Sequence, residues 1–167
     1  FKSRDGAHLM RVLFIRHAEA ESASDGTDLE RPLTRKGQRV MKTVARCLAR
    51  RFDRPDRIIS SQAIRARESA EILCSAFGGH GVELEPDLNP GARPEAYLHV
   101  LAKAWKKDEA LLVIVGHEPD LSAVVSTLVS GGHLELKFKK SACADIQFTS
   151  PTQGILRALL DPALLGS

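Results

Sequence analysis

The chain has 167 residues, 43% hydrophobic and 27% charged, the size and balance of one domain with a sizeable core. A formal net charge of +3 without a long Lys/Arg block is too mild for a nucleic-acid binder, and no apolar run reaches bilayer-spanning length. Three widely spaced cysteines, Cys47, Cys74 and Cys143, argue against a disulfide scaffold or a zinc knuckle. They point to a reducing compartment, so a cytoplasmic setting is expected.

The first nine residues, FKSRDGAHL, are polar and lack an apolar h-region. They read as an expression leader ahead of a natural start at Met10, with residues 10–167 as a single domain. Residues 12–15 are wholly apolar and mostly branched, as in a strand buried on both faces. A polar, acidic loop follows over 18–32. Thr34 then has the character of an N-cap, and Val40, Val44, Cys47 and Leu48 recur at helical spacing, which predicts a helix over 34–51. Asp53, Pro55 and Asp56 break it. A short strand, RIIS, covers Arg57–Ser60. A second helix is expected over 62–77 with Ala66, Ser69, Ala70, Leu73 and Phe77 on one face, stopped by Gly78 and Gly79.

Residues 82–85 offer a third strand, and 86–94, with three prolines and a glycine, an irregular loop. A helix over 95–107 is expected to face Leu98, Leu101, Ala102 and Trp105 inward. LLVIVG, Leu111–Gly116, is the clearest buried strand, and Leu121, Val124, Val125, Leu128 and Val129 mark a helix behind it. Two further strands, 145–149 and 155–160, close the chain around a turn. Cys47 and Cys74 fall in apolar helical patterns and read as buried free thiols. The alternation predicts an α/β fold: a three-layer α/β/α sandwich with a mostly parallel central sheet and a C-terminal antiparallel hairpin.

Sites in open α/β sheets form beyond the carboxyl ends of the parallel strands. Strand one ends in Arg16-His17, strand two runs into Ser60, Ser61 and then Arg65, and LLVIVG ends in His117-Glu118. Two arginines and two histidines at one rim suit a phosphoryl group, whose transition state spreads negative charge over its equatorial oxygens. A neutral imidazole is a competent nucleophile and can form a phosphoenzyme, while a protonated second imidazole would stabilise the transferring oxygens. With that much positive charge no metal or other cofactor is needed, and no HxxxH or HExxH spacing occurs.

RHAEA after the first strand, RPLTRKG at 31–37, SSQAIRARESAE at 60–71 and VGHEPDLS at 115–122 together resemble the histidine phosphatase superfamily. The match is to its phosphoglycerate mutase-like fold in a minimal version without a large inserted lid, and it is most similar to the small SixA-type phosphohistidine phosphatases. The resemblance implies that His17 accepts the phosphoryl group, that Arg16 and Arg65 bind its oxygens and that His117 completes the pocket. It also implies removal of phosphate from phosphohistidine in a phosphorylated protein. The family's RHG reads RHA here, with Ala18, and its SP-x-x-R reads Ser61-Gln62-Ala63-Ile64-Arg65, without the proline. The general acid is open between Asp87, which precedes a Leu-x-Pro, and Glu118.

Other readings stand beside this one. A small phosphoester such as a sugar phosphate or nucleotide is the alternative substrate, and a phosphoprotein-binding module without turnover is the alternative class. Arg16-His17 alone would read as a solvated strand end. His8, His80, His99 and His133 read as surface residues, and Arg31 and Thr34 as loop-shaping and capping residues. Lys139, Lys140 and Ser141 form a basic corner, either a solvated turn or a face for an acidic protein. Neither nucleic acid nor membrane is an expected partner, and a monomer is expected.

Overall fold

The computed structural model describes residues 9–22, 26–79, 81–107 and 109–165. His8, His80 and most of the segment 1–9 expected to be a leader lie outside the described residues. The chain runs through β1 (Met10–Arg16), α1 (Arg35–Arg51), β2 (Arg57–Ser60), α2 (Ile64–Phe77), β3 (Glu83–Leu84) and α3 (Pro94–Lys106). It continues through β4 (Leu111–Gly116), α4 (Asp120–Ser130), β5 (Cys143–Ser150) and β6 (Gln153–Leu160). All six strands join one sheet in the order β3-β2-β4-β1-β5-β6. The pairings β1–β4, β2–β4 and β2–β3 are parallel, and β5 joins antiparallel to β1 and to β6.

Alternation along the central strands explains the three layers. Val12 and Phe14 of β1 join Leu112 and Ile114 of β4 in a core with α3 and α4. Leu13 and Ile15 join Val113 and Val115 in a second core with α1 and α2. Every residue of β4 is buried, so the strand has no polar face to show and reads as a continuous apolar run. Among the described residues no helix is long and apolar enough to cross a membrane.

Several boundaries differ from the sequence expectation for local reasons. β1 extends to Met10 and Arg16 because β4 and β5 pair with it on both sides. β3 shrinks to two exposed residues because it is an edge strand with one neighbour. Within 86–94 the chain makes a short 3-10 turn at Pro86–Leu88, and α3 begins at Pro94, a residue suited to the first helical position. The buried face of α3 is Tyr97, Val100, Leu101 and Ala104, with Leu98 and Trp105 half-buried at its edge. The buried face is therefore rotated from the expected one: Tyr97, outside that face, packs its ring on Phe14 at a centroid distance of 6.3 Å. Cys74 and Cys143 are buried thiols, but Cys47 sits at the edge of α1, whose buried face is Gly37, Met41, Val44, Ala45 and Leu48. His99 and His133 are exposed, as read from sequence.

Candidate active site

The sheet order opens a crevice at the end of β4, whose following helix leaves on the opposite face from those that follow its parallel neighbours β1 and β2. β1 leads to α1 on one face and its neighbour β4 leads to α4 on the other. Ligands settle at such switch points because the two departing helices leave a gap over the strand ends. Arg16 and Gly116 are register partners there, and the His17 N–H donates to the Gly116 carbonyl at 3.1 Å. From the other side of β4, the Ser61 N–H donates to the Val115 carbonyl at 3.3 Å. Residues far apart in the chain are thus brought together by backbone pairing alone.

The structure gathers four of the expected residues. The His17 and His117 rings lie 5.1 Å apart between centroids. The Arg65 guanidinium, in the first turn of α2, donates through Nε to His17 Nε2 at 3.3 Å. His17 Nδ1 lies 2.7 Å from the Ala18 carbonyl, which can only accept. The hydrogen therefore resides on Nδ1, and Nε2 carries the lone pair that accepts from Arg65. Ser61 Oγ accepts from the Ala63 N–H at 3.3 Å and meets His117 Nε2 at 2.6 Å. If the Ser61 hydrogen serves that contact, the His117 hydrogen is on Nδ1. Arg16 donates through Nη1 to the Phe138 carbonyl at 2.7 Å. Arg16 Nε and His117 Nδ1 are buried and have no hydrogen-bond partner among the described residues. Such orphans are uncommon in a folded interior and are expected where a ligand completes the set.

Electrostatics keep both imidazoles neutral. Burial, reinforced by the nearby Arg65 and Arg16 guanidiniums, pushes His17 down to about 4, against a favourable hydrogen bond to Ala18. Burial and then the charges of His17 and Arg65 push His117 down to about 3. Burial first, and then the positive charges around it, therefore hold His117 neutral in the unliganded site. A bound dianion would reverse that balance.

Asp28, in a 3-10 turn at Asp28–Glu30, is a site residue that sequence reasoning missed. Its carboxylate accepts from Arg65 Nη2 at 2.7 Å and its backbone carbonyl from Arg65 Nη1 at 2.5 Å. The Arg65 side chain is 5% exposed, and a guanidinium that deep requires a counter-charge. Asp28 also pairs with Arg31 at 2.9 Å, so these two cations hold its carboxyl below the usual range. An acidic loop residue has no periodic signal, and only the folded loop reveals its partner.

The two departures from the family motifs are accommodated. Ala18 is fully buried, its N–H donates to Ser69 Oγ at 3.1 Å, and its backbone needs no positive φ. Gln62, in the place of the missing proline, donates its N–H to Asn89 Oδ1 at 2.8 Å, a bond that proline cannot make. Glu19, which had no role from sequence, clamps the entrance to α1. Its carboxylate accepts from Thr34 Oγ1 at 3.1 Å and faces Lys36 Nζ at 3.3 Å.

Among the described residues neither acid candidate hydrogen-bonds to the rings of His17 or His117. Glu118 accepts from the Ser122 N–H at 3.1 Å, from the Ser122 hydroxyl through a very short bond, and from the Phe138 N–H at 3.0 Å. Asp87 is exposed in the turn at Pro86–Leu88, its N–H directed at Glu85. Beneath His117 lie two buried groups that the sequence did not flag. Tyr97 brings its hydroxyl so close to Gly116 that a Cβ there would stand 2.5 Å from it, and burial raises its pKa. Asp120, raised by burial, accepts from the Gly91 and Ala92 N–H groups. Among the described residues no three His, Cys, Asp or Glu side chains form a metal-binding group.

Comparison with known proteins adds independent findings. The family model for the histidine phosphatase superfamily (branch 1) matches residues 12–90. An uncharacterized curated protein from Picosynechococcus sp. is 36% identical over 132 residues, covering 77% of this chain and 80% of the relative. The structure of the protein histidine phosphatase SixA complexed with tungstate superposes with a TM-score of 0.87 at 23% identity, over 93% of this chain and 99% of the other. A SixA-type structure from Agrobacterium tumefaciens gives 0.79 at 28% identity, over 92% and 98%. A phosphoglycerate mutase from Bacillus anthracis str. Sterne gives 0.73 at 12% identity, over 95% and 96%, a likeness of fold.

Proposed function

Because the chain belongs to the histidine phosphatase superfamily, a superfamily of phosphatases, we propose that it removes phosphate from phosphohistidine in a protein through a phosphoenzyme on His17. The observation that carries the reading is the His17 ring. Its Nδ1–H is held by the Ala18 carbonyl, which leaves the Nε2 lone pair at the strand rim, where it accepts from Arg65 Nε at 3.3 Å. Burial keeps that nitrogen unprotonated well below neutral pH, as a nucleophile needs.

In the first step Nε2 of His17 bonds to phosphorus as the substrate's own N–P bond breaks. Its imidazole, already protonated on the ring nitrogen that does not carry the phosphoryl group, or receiving a proton from water on the departing nitrogen, leaves neutral. In the second step water attacks phosphorus, the His17 N–P bond breaks, and inorganic phosphate departs with His17 restored. Arg65 turns its Nε from the lone pair to a phosphoryl oxygen, and Arg16 Nε gains the oxygen partner it lacks. His117 holds a further oxygen and, beside the dianion, takes up a proton more readily than in the free site. An imidazole leaving group lessens the need for a carboxylic acid. This agrees with Glu118 being engaged by Ser122 and Phe138 and with Asp87 making no contact with either histidine.

The SixA-type likeness and the small size support a protein substrate reaching an open rim. The test is a substrate panel comparing a phosphohistidine protein with sugar phosphates, nucleotides and phosphopeptides, each run with wild type and His17→Ala. Preference for phosphohistidine, and loss of turnover by several orders of magnitude in the variant, is expected. Preference for a phosphoester would refute the substrate. Tight binding of phosphoprotein without turnover in wild type would refute the enzyme.

A further inference from the structure

A cleft of about 360 Å³ opens beside the phosphate rim, with Arg16 in its wall and Val40 and Phe138 in its lining. Its charges are one-sided. Lys36, Lys137, Lys139 and Lys140 join Arg16 there, and Glu19 is the one acidic residue of the lining. The Glu19 carboxylate is already shared by Lys36 and Thr34, and Lys139 is paired with Asp161 at 2.5 Å. Lys137 and Lys140 are exposed and have no ion-pair partner among the described residues.

The lysine segment is also fixed relative to the nucleophile. The Ser141 N–H donates to the carbonyls of Arg16 and His17 at 3.1 and 3.2 Å, and Ser141 adopts a φ of 66° to do so. Three residues earlier, Phe138 accepts from Arg16 and donates to Glu118. Lys139 and Lys140 therefore sit on a backbone span anchored at both ends to the catalytic strand.

We propose that this cleft docks a carboxylate-rich segment of the phosphorylated protein substrate, so that acidic residues near the phosphohistidine select what His17 dephosphorylates. The inference rests on the phosphoprotein reading above and adds the recognition element. A small phosphoester is satisfied by Arg16, Arg65 and His117. Cations along a separate cleft need further negative groups on the same molecule, which the Asp and Glu side chains of a protein provide. Val40, half-buried in the lining, offers an apolar contact to the aliphatic carbons between those carboxylates. Complementary charge of this kind acts mainly on encounter and choice of partner.

The experiment uses paired peptides with acidic or serine-rich flanks, each prepared in a phosphohistidine and a phosphotyrosine form. Wild type is expected to favour the acidic flank by about tenfold in kcat/KM at low salt, and the preference should vanish near 1 M salt, where the Debye length is about 3 Å. Lys137→Gln/Lys140→Gln should erase the preference while leaving turnover of a small aryl phosphate unchanged. Lys137→Glu/Lys140→Glu should turn it toward the serine-rich flank. Equal rates for both flanks in wild type, or a double variant that loses aryl phosphate turnover in the same proportion, would overturn the docking role. An acidic preference seen with phosphotyrosine peptides alone would keep the docking role and refute the phosphohistidine substrate. No turnover of any peptide would overturn both.

Discussion

Acidification should destabilise this protein through two buried imidazoles, and replacing His117 with Gln should remove about half of that sensitivity. In the folded chain His17 is pushed down to about 4 and His117 to about 3, chiefly by burial, while a free imidazole titrates near 6.5. Between those values the unfolded chain binds protons that the folded chain refuses. Stability therefore rises with pH through this window and falls as pH drops from about 6.5 toward 4. Going from about pH 7.5 to pH 4.5, each imidazole costs about 2.5 kcal/mol, or about 5 kcal/mol for the pair. His117→Gln should thus lose about 2.5 kcal/mol less than wild type over the same interval, roughly 5–10 °C in Tm for a chain of this length. Asp120 and the other carboxylates titrate in both proteins, so they cancel in the difference. Urea unfolding of both proteins at the two pH values measures it. Equal losses in wild type and variant would refute the claim that His117 is held neutral by its surroundings.

Three further outcomes follow from the same geometry. Gly37→Ala would place a Cβ 2.2 Å from the Glu19 carbonyl oxygen, so α1 must move away from the segment that follows His17; a loss of about 1–3 kcal/mol and reduced kcat are expected by thermal melts and kinetics. Glu118→Gln keeps the shape but weakens the grip on the Phe138 N–H, whose residue holds Arg16 through its carbonyl. It should lower kcat/KM for an aryl phosphate by roughly tenfold with little change in the acid limb, whereas an essential general acid would shift that limb. Asp28→Asn removes a negative charge from Arg65 and from the approach of a phosphoryl group, so inorganic phosphate should inhibit severalfold more tightly; unchanged or weaker inhibition would refute the competition.

Much of this protein was written in local patterns. Buried strands ending in Arg16-His17 and in His117, and helices marked by Val44, Leu48, Leu73 and Leu128, are legible because burial on two faces forces continuous apolar runs and burial on one forces a period near 3.6. Arg65 was legible from motif spacing. The sequence also named the odd positions Ala18 and Gln62 without showing what compensates them. Those answers, Ser69 for Ala18 and Asn89 for Gln62, lie on other elements. The buried face of α3 was misplaced because tyrosine is amphipathic and its ring found a seat on Phe14 that no periodicity announces.

What only the tertiary structure decided is which polar groups meet. Asp28 answers the buried charge of Arg65, Phe138 offers Arg16 a carbonyl from a loop more than a hundred residues away, and Glu118 is engaged in holding that loop. These partnerships are long-range and satisfy single atoms, so they leave no period or composition in the chain. Strand ends and core faces are set by repeating local rules and can be read. The depressed titration of both imidazoles and the anchoring of the lysines at the rim follow from contacts that exist only once distant segments lie side by side.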